Sequence, residues 1–206
     1  MSEFLLPVPF QTLVIHSEKV SIYYPYVMLP NQQIQQSINQ KIYSVVHQLI
    51  AHQQSIQTGE LQEMLGHFEI KTNERGLLSI LFSNYAYSAP MAHGMTVVQS
   101  LNFNVKTGQE YQLQDLFKPN SNYIQVLSKQ IEKQIKERDI PLLGNFTTIR
   151  PNQDFYLSDK CLVIYFRLYE ITPYYVGFPM FPISVYSLED IINPNGPLSI
   201  LSIAVV

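Results

Sequence analysis

The apolar positions along the chain follow two alternating patterns. From residue 11 to 28, β-branched and aromatic residues alternate or run together, and the polar interruption Ser17-Glu18-Lys19 divides them into two strands. Pro25 cannot donate to a ladder, so the second strand is predicted to bend there or to lie at an edge. The period then changes. Ile34, Ile38, Ile42, Val45, Val46, Leu49 and Ile50 recur every three or four residues, which predicts a helix with one apolar stripe and Asn31 as its N-cap. Strands are predicted at 64–71 and 77–87, joined through Asn73-Glu74-Arg75-Gly76, where Gly76 supplies the positive φ of a tight turn. Another follows at 95–105, and Lys106-Thr107-Gly108 turns it toward a further strand at 110–113.

The second half repeats this order. Asp115-Leu116-Phe117 predicts a short helical turn, and Tyr123, Ile124, Leu127, Ile131 and Ile135 form the inner side of a second helix. That helix should begin near Asn122 and end near Asp139, ahead of Pro141. A hairpin is predicted from 155–157 and 161–169 around Ser158-Asp159-Lys160. The period is then lost over 172–182, an aromatic- and proline-rich stretch with the composition of an ordered loop. A strand at 183–186 and a short helix capped by Ser187, with Glu189 and Asp190 in its first turn, complete the pattern up to Asn193-Pro194-Asn195-Gly196-Pro197. The last nine residues, LSILSIAVV, are almost wholly apolar and predict a buried strand, with completion of a partner's sheet as the alternative. The fold class is therefore α+β, a largely antiparallel sheet with two amphipathic helices, as one domain or two packed subdomains. The division is set at 1–92, a strand-helix-strand unit, and 93–206.

Composition narrows the function. The chain of 206 residues is 46% hydrophobic and 14% charged, a folded composition in which Gln and Asn supply much of the polar surface. A net charge of −3 and the lack of a Lys/Arg cluster argue against a nucleic-acid partner. Basic residues between 129 and 138 are interrupted by Glu132 and Glu137, as on a solvated helix face. The one cysteine, Cys161, excludes an intrachain disulfide and a multi-cysteine metal cage. The start, MSEFLLPVPFQTLVI, reads as neither a signal peptide nor a membrane span. Taken as it stands the sequence places the chain in the cytoplasm; removal of a leader would place it in the cell envelope or outside the cell.

Catalytic chemistry finds little support. His16, His47, His52, His67 and His93 are scattered, and none has the spacing of a metal pair, so no metal, cofactor or catalytic residue is assigned. His93 is singled out because it sits in a loop between two predicted strands, where it can lock the loop or meet a ligand. Arg167 and Glu170 are three apart, which on a regular strand puts them on opposite faces. No Gly-x-Ser-x-Gly elbow or phosphate loop occurs. The richest cluster is Tyr174, Tyr175, Phe178 and Phe181: tyrosine offers an apolar face with a polar tip, suited to an interface or to stacking on sugars. Closure of the core is the competing role. Tyr174, Tyr175, Phe178 and His93 are the candidate ligand-binding residues.

Several of these segments together resemble a known family. Phe103-Asn-Val-Lys-Thr-Gly108 with Leu113-Gln-Asp-Leu-Phe117, then Phe155-Tyr-Leu157, Leu162-Val-Ile-Tyr-Phe166 and Tyr169-Glu-Ile-Thr-Pro-Tyr-Tyr-Val-Gly177, resemble bacterial domain-of-unknown-function family 3298. The family is similar to the extracellular sensor domain of the anti-sigma-V factor RsiV and to the noncatalytic region of certain peptidoglycan deacetylases. The region from Ser21 to Tyr87 more loosely resembles family 4163. In the turn Ser88-Ala-Pro-Met-Ala-His-Gly94, Pro90 and Met91 stand where the family carries glycines. The resemblance implies an α+β fold and noncatalytic recognition of a protein (a lysozyme, for the sensor domain) or a cell-envelope glycan. Two alternatives stand beside it: a small hydrolase using His93 with a carboxylate, and a cytoplasmic assembly or structural protein.

Overall fold

In the computed structural model, residues 7–203 are described. They form two compact units, Met1–Glu110 and Tyr111–Val206. The division falls later in the chain than residue 92, because the strand that follows is hydrogen-bonded along its predecessor in one sheet.

The first unit contains β1 (Phe10–Ser17), β2 (Val20–Val27), α1 (Gln32–Ile56), β3 (Glu60–Glu74), β4 (Leu77–Ala89) and β5 (Met95–Asn104), with sheet order β1-β2-β3-β4-β5. All neighbours are antiparallel except β2 and β3, whose parallel ladder couples Val20, Ser21 and Ile22 to Met64, Leu65 and Gly66. A parallel pair needs a long crossover, and α1 provides it. Pro25 lies beyond that short ladder while still opposite Thr12 of β1. Two residues separate β1 from β2, so Ser17 and Val20 close the hairpin as a hydrogen-bonded pair, and counting from them leaves Pro25 outside the β1 ladder bonds. Its missing N–H thus falls where neither neighbour needs a donor.

Asn31 caps α1 by accepting hydrogen bonds from Gln33 N and Ile34 N. The stripe faces inward as its spacing predicts: Ile38, Ile42, Val45, Val46 and Leu49 are buried in a core with Ile22, Met64, Ile80, Phe82, Leu101 and Phe103. Each such side chain contributes about 1.5–3 kcal/mol relative to exposure. Arg75 and Gly76, both at positive φ, form the two-residue turn between β3 and β4. The strand expected at 110–113 shrinks to a single bridge between Phe103 and Glu110, because the Asn104 side chain accepts from Lys106 N and Thr107 N and curls the chain there. Pro90 follows a cis peptide bond, and Met91 N donates to Ser88 O.

The second unit begins with a 3-10 turn, Leu113–Leu116, then α2 (Tyr123–Glu137) with Leu127, Ile131 and Ile135 buried. Strands β6 (Phe155–Ser158), β7 (Cys161–Tyr165) and β8 (Met180–Ser184) form an antiparallel sheet in that order. Three expectations are corrected here. The strand predicted over 161–169 stops at Tyr165. The short helical segment starts at Val185, and Ser187 Oγ donates backward to Ser184 O instead of capping forward. The apolar tail forms α3 (Pro197–Ser202), not a strand. Pro197 sets a helical φ at the first position, and the three-residue spacing of Leu198 and Leu201 turns both fully inward. The tail therefore offers no strand to a partner over 197–202; residues 204–206 of that expectation lie outside the described residues.

Candidate functional site

The candidate site is the connection from β7 to β8. After Tyr165 the chain leaves the sheet, and Glu170 N donates to Arg167 O to close a turn with Tyr169 at φ 64°. A bulky residue rarely occupies that region, and the turn leaves Tyr169 at 45% exposure. A 3-10 turn, Tyr174–Val176, follows, with Gly177 at φ 78° and ψ −141°, a conformation open to glycine alone. The rings of Tyr169 and Tyr174 lie 5.6 Å apart. Ile171 O accepts from Leu143 N at 2.9 Å, tying the middle of the loop to the segment after α2.

The loop base is clamped by charge. Asp154 accepts from Arg167 Nε at 3.0 Å and from its terminal nitrogen at 3.2 Å, a two-pronged contact, and from Arg150 at 3.3 Å. Glu170 accepts from Arg167 N at 2.8 Å and pairs with Arg150 at 3.0 Å. Buried Gln153 donates to Tyr165 O at 3.0 Å and to Glu170 at 3.3 Å. Partial burial acts to lower the pKa of the Arg167 guanidinium, but the bonded Asp154 carboxylate outweighs it and holds the group above its ordinary value. Glu170 meets Arg167 through the backbone N–H of that residue, while the two side chains take different partners, Asp154 for Arg167 and Arg150 for Glu170, in keeping with the expectation that they do not pair with each other.

The sequence candidates separate by environment. Tyr175 is 78% exposed, Tyr174 and Phe178 are half-buried, and Phe181 is fully buried on β8, its ring edge-on to Phe166 and capped by the Arg138 guanidinium. His93 is exposed in the β4–β5 connection of the first unit, and its Nδ1–H donates to Gly94 O at 2.9 Å. Cys161 is half-buried; burial first, and the Asp159 charge second, push its thiol pKa up. Among the described residues no group of three or more His, Cys, Asp or Glu could hold a metal, and no helix is long and apolar enough to cross a membrane. Sequence reasoning missed Tyr169, Gln153 and the Arg150–Asp154 pair. The four-residue spacing of Arg150 and Asp154 was visible, but the partner Arg167 lies thirteen residues from Asp154 across a hairpin.

Residues 114–186 match the model of a family described as a protein of unknown function, DUF3298. The anti-sigma-V factor RsiV of Bacillus subtilis strain 168 is 31% identical over 173 residues, covering 75% of this chain. The chain spans 58% of the length of RsiV. A DUF3298 family protein from Pseudomonas aeruginosa PAO1 has a similar solved structure, with TM-score 0.69 at 15% identity over 92% of this chain and 96% of that one. A family member from Bacteroides fragilis NCTC 9343 gives TM-score 0.67 at 14% identity over 95% and 97%. At those identities the two structures speak for the fold. The matched segment includes the clamp and the whole aromatic loop, and the chain accordingly carries a DUF3298 family domain, homologous to RsiV.

Proposed function

We propose that the chain is a noncatalytic recognition domain whose β7–β8 loop contacts a protein ligand of the cell envelope, of the lysozyme kind. The observation that carries this reading is the exposure of Tyr175 on a loop that ion pairs and backbone bonds hold in place. A tyrosine in water on a fixed loop forgoes burial, and binding recovers it with little loss of conformational freedom. Tyr169, Tyr174, Tyr175, Arg150 and Arg167 together have the Tyr/Arg composition of protein-binding hot spots, which favours a protein over a glycan at this loop. The relative's name, an anti-sigma factor, describes a regulator and agrees with a noncatalytic role. This reading places the chain at the cell envelope.

Calorimetric titration of the chain with lysozymes, and separately with soluble peptidoglycan fragments, tests it. Saturable binding of a lysozyme, weakened by about tenfold or more in Tyr175→Ala, is the expected result. Equal affinity of the two chains would remove the loop from the contact. Binding of the fragments alone would replace the protein ligand with a glycan.

A further inference from the structure

The first unit carries a groove of about 500 Å³ lined by Tyr26 of β2 and by Gln32, Gln35, Gln36, Asn39 and Gln40 of α1. Its lining is all amide and phenol, without a charge or an aliphatic side chain. Exposed helical faces ordinarily carry charges, yet no charged residue occurs between Asn31 and Gln40.

Two of the amides are fixed as scaffold. Asn39 Oδ1 accepts from Val27 N at 2.7 Å while its Nδ2 donates to Val27 O at 2.8 Å, so the side chain pairs with β2 as a strand would. Gln35 Oε1 accepts from Leu29 N at 2.8 Å, and its Nε2 donates to the Tyr26 hydroxyl at 3.2 Å, which orients the phenol. The other three differ. Gln32, Gln36 and Gln40 follow one another at four-residue spacing on one exposed helix face, with no hydrogen bond to spend their amides on within the described residues.

We propose that this groove binds an uncharged carbohydrate. Sugar hydroxyls each donate and accept, and each of the three amides can do both, so the hydrogen-bonding capacities of ligand and groove are complementary. Tyr26 supplies a ring face for the C–H side of a sugar and a hydroxyl already oriented by Gln35. A phosphate or carboxylate ligand would find no counter-charge, and the side chains of a peptide would find no apolar pocket. The volume lies within the range of small-ligand sites. The inference stands apart from the aromatic loop, since every lining residue belongs to the first unit.

The test is a titration of the isotope-labelled chain with chitotriose, with maltotriose and with a neutral hydrophilic peptide, followed by side-chain amide resonances. The Gln32, Gln36 and Gln40 amide signals should shift and saturate with at least one of the two sugars, with an affinity on the order of millimolar. A combined Gln32→Ala, Gln36→Ala chain, in which alanine keeps or improves helix propensity, should bind about tenfold more weakly or worse with an unchanged circular dichroism spectrum. Tyr175→Ala should bind the sugar as the unaltered chain does, so failure of the loop reading and failure of this one are told apart. Lack of saturation with either sugar, undiminished binding by the double variant, or shifts produced by the peptide alone would each overturn the proposal.

Discussion

Removing the Asp154 carboxylate measures what holds the aromatic loop in shape. The carboxylate is 16% exposed and receives two bonds from Arg167 and one from Arg150, whereas the two arginine side chains are 55% and 50% exposed. A hydrogen bond to a charged group contributes about 1.5–3 kcal/mol when well shielded, while solvent-screened ion pairs contribute about 0–1 kcal/mol. With one largely shielded and one half-exposed partner, the Asp154–Arg167 coupling should fall near ~1 kcal/mol. Asp154→Ala alone should destabilise by about 2 kcal/mol, because it removes the Arg150 bond as well as both Arg167 bonds and leaves the partly buried Arg167 guanidinium without its carboxylate. The assay is urea unfolding of the four chains of the cycle Asp154→Ala, Arg167→Ala, read from midpoints at constant m. A coupling under about 0.3 kcal/mol, within the scatter of independent sites, would refute the view that this pair clamps the loop.

Two further outcomes follow from buried groups. Gln53 is fully buried and donates to Asn84 O at 2.6 Å and Met95 O at 2.8 Å, so Gln53→Leu should lower stability by about 2 kcal/mol. Asn84 is also buried but neither atom of its amide has a partner among the described residues, so Asn84→Leu should raise stability by about 1 kcal/mol; the two urea midpoints moving in the same direction would contradict this contrast. The raised pKa of Cys161 means that the neutral thiol dominates at neutral pH, and since only the thiolate reacts, iodoacetamide labelling followed by mass spectrometry should be slow at neutral pH and climb about tenfold per pH unit well into the alkaline range. A labelling profile that has already levelled off near neutrality would show the thiol to be activated instead.

Local pattern and long-range pairing divide what was legible in the chain. The stripe from Ile34 to Ile50, the Asn31 cap, the Arg75-Gly76 turn and the span of α2 depend on neighbours a few residues apart, and all appear where the spacing puts them. The tail departs from its expected strand because apolar composition in a short segment does not distinguish a buried strand from a buried helix. Pro197 just after Gly196 marks a helical start as well as the end of the preceding segment. The parallel β2–β3 ladder was illegible for another reason: three residue pairs across a long helix leave no trace in either strand's alternation.

The aromatic loop shows how such limits bear on function. Tyr174, Tyr175, Phe178 and Phe181 read as one cluster, yet they divide between solvent and core by position. Phe181 belongs to β8 and, with Ile183, alternates inward against exposed Pro182 and Ser184, so period two alone would have assigned it to the core. Tyr175 lies in the 3-10 turn before that strand, where no such alternation applies. Its exposure depends on a path that Asp154, Gln153 and Arg150 set from before β6, through contacts that local sequence cannot show. Core closure and ligand contact are therefore not exclusive in this segment: Phe181 closes the core, while Tyr175 stands in solvent, as the proposed ligand contact requires. Loosening the clamp through Asp154→Ala should accordingly weaken ligand binding even though Asp154 itself is mostly shielded from solvent, a coupling that would be missing if Tyr175 were exposed by accident.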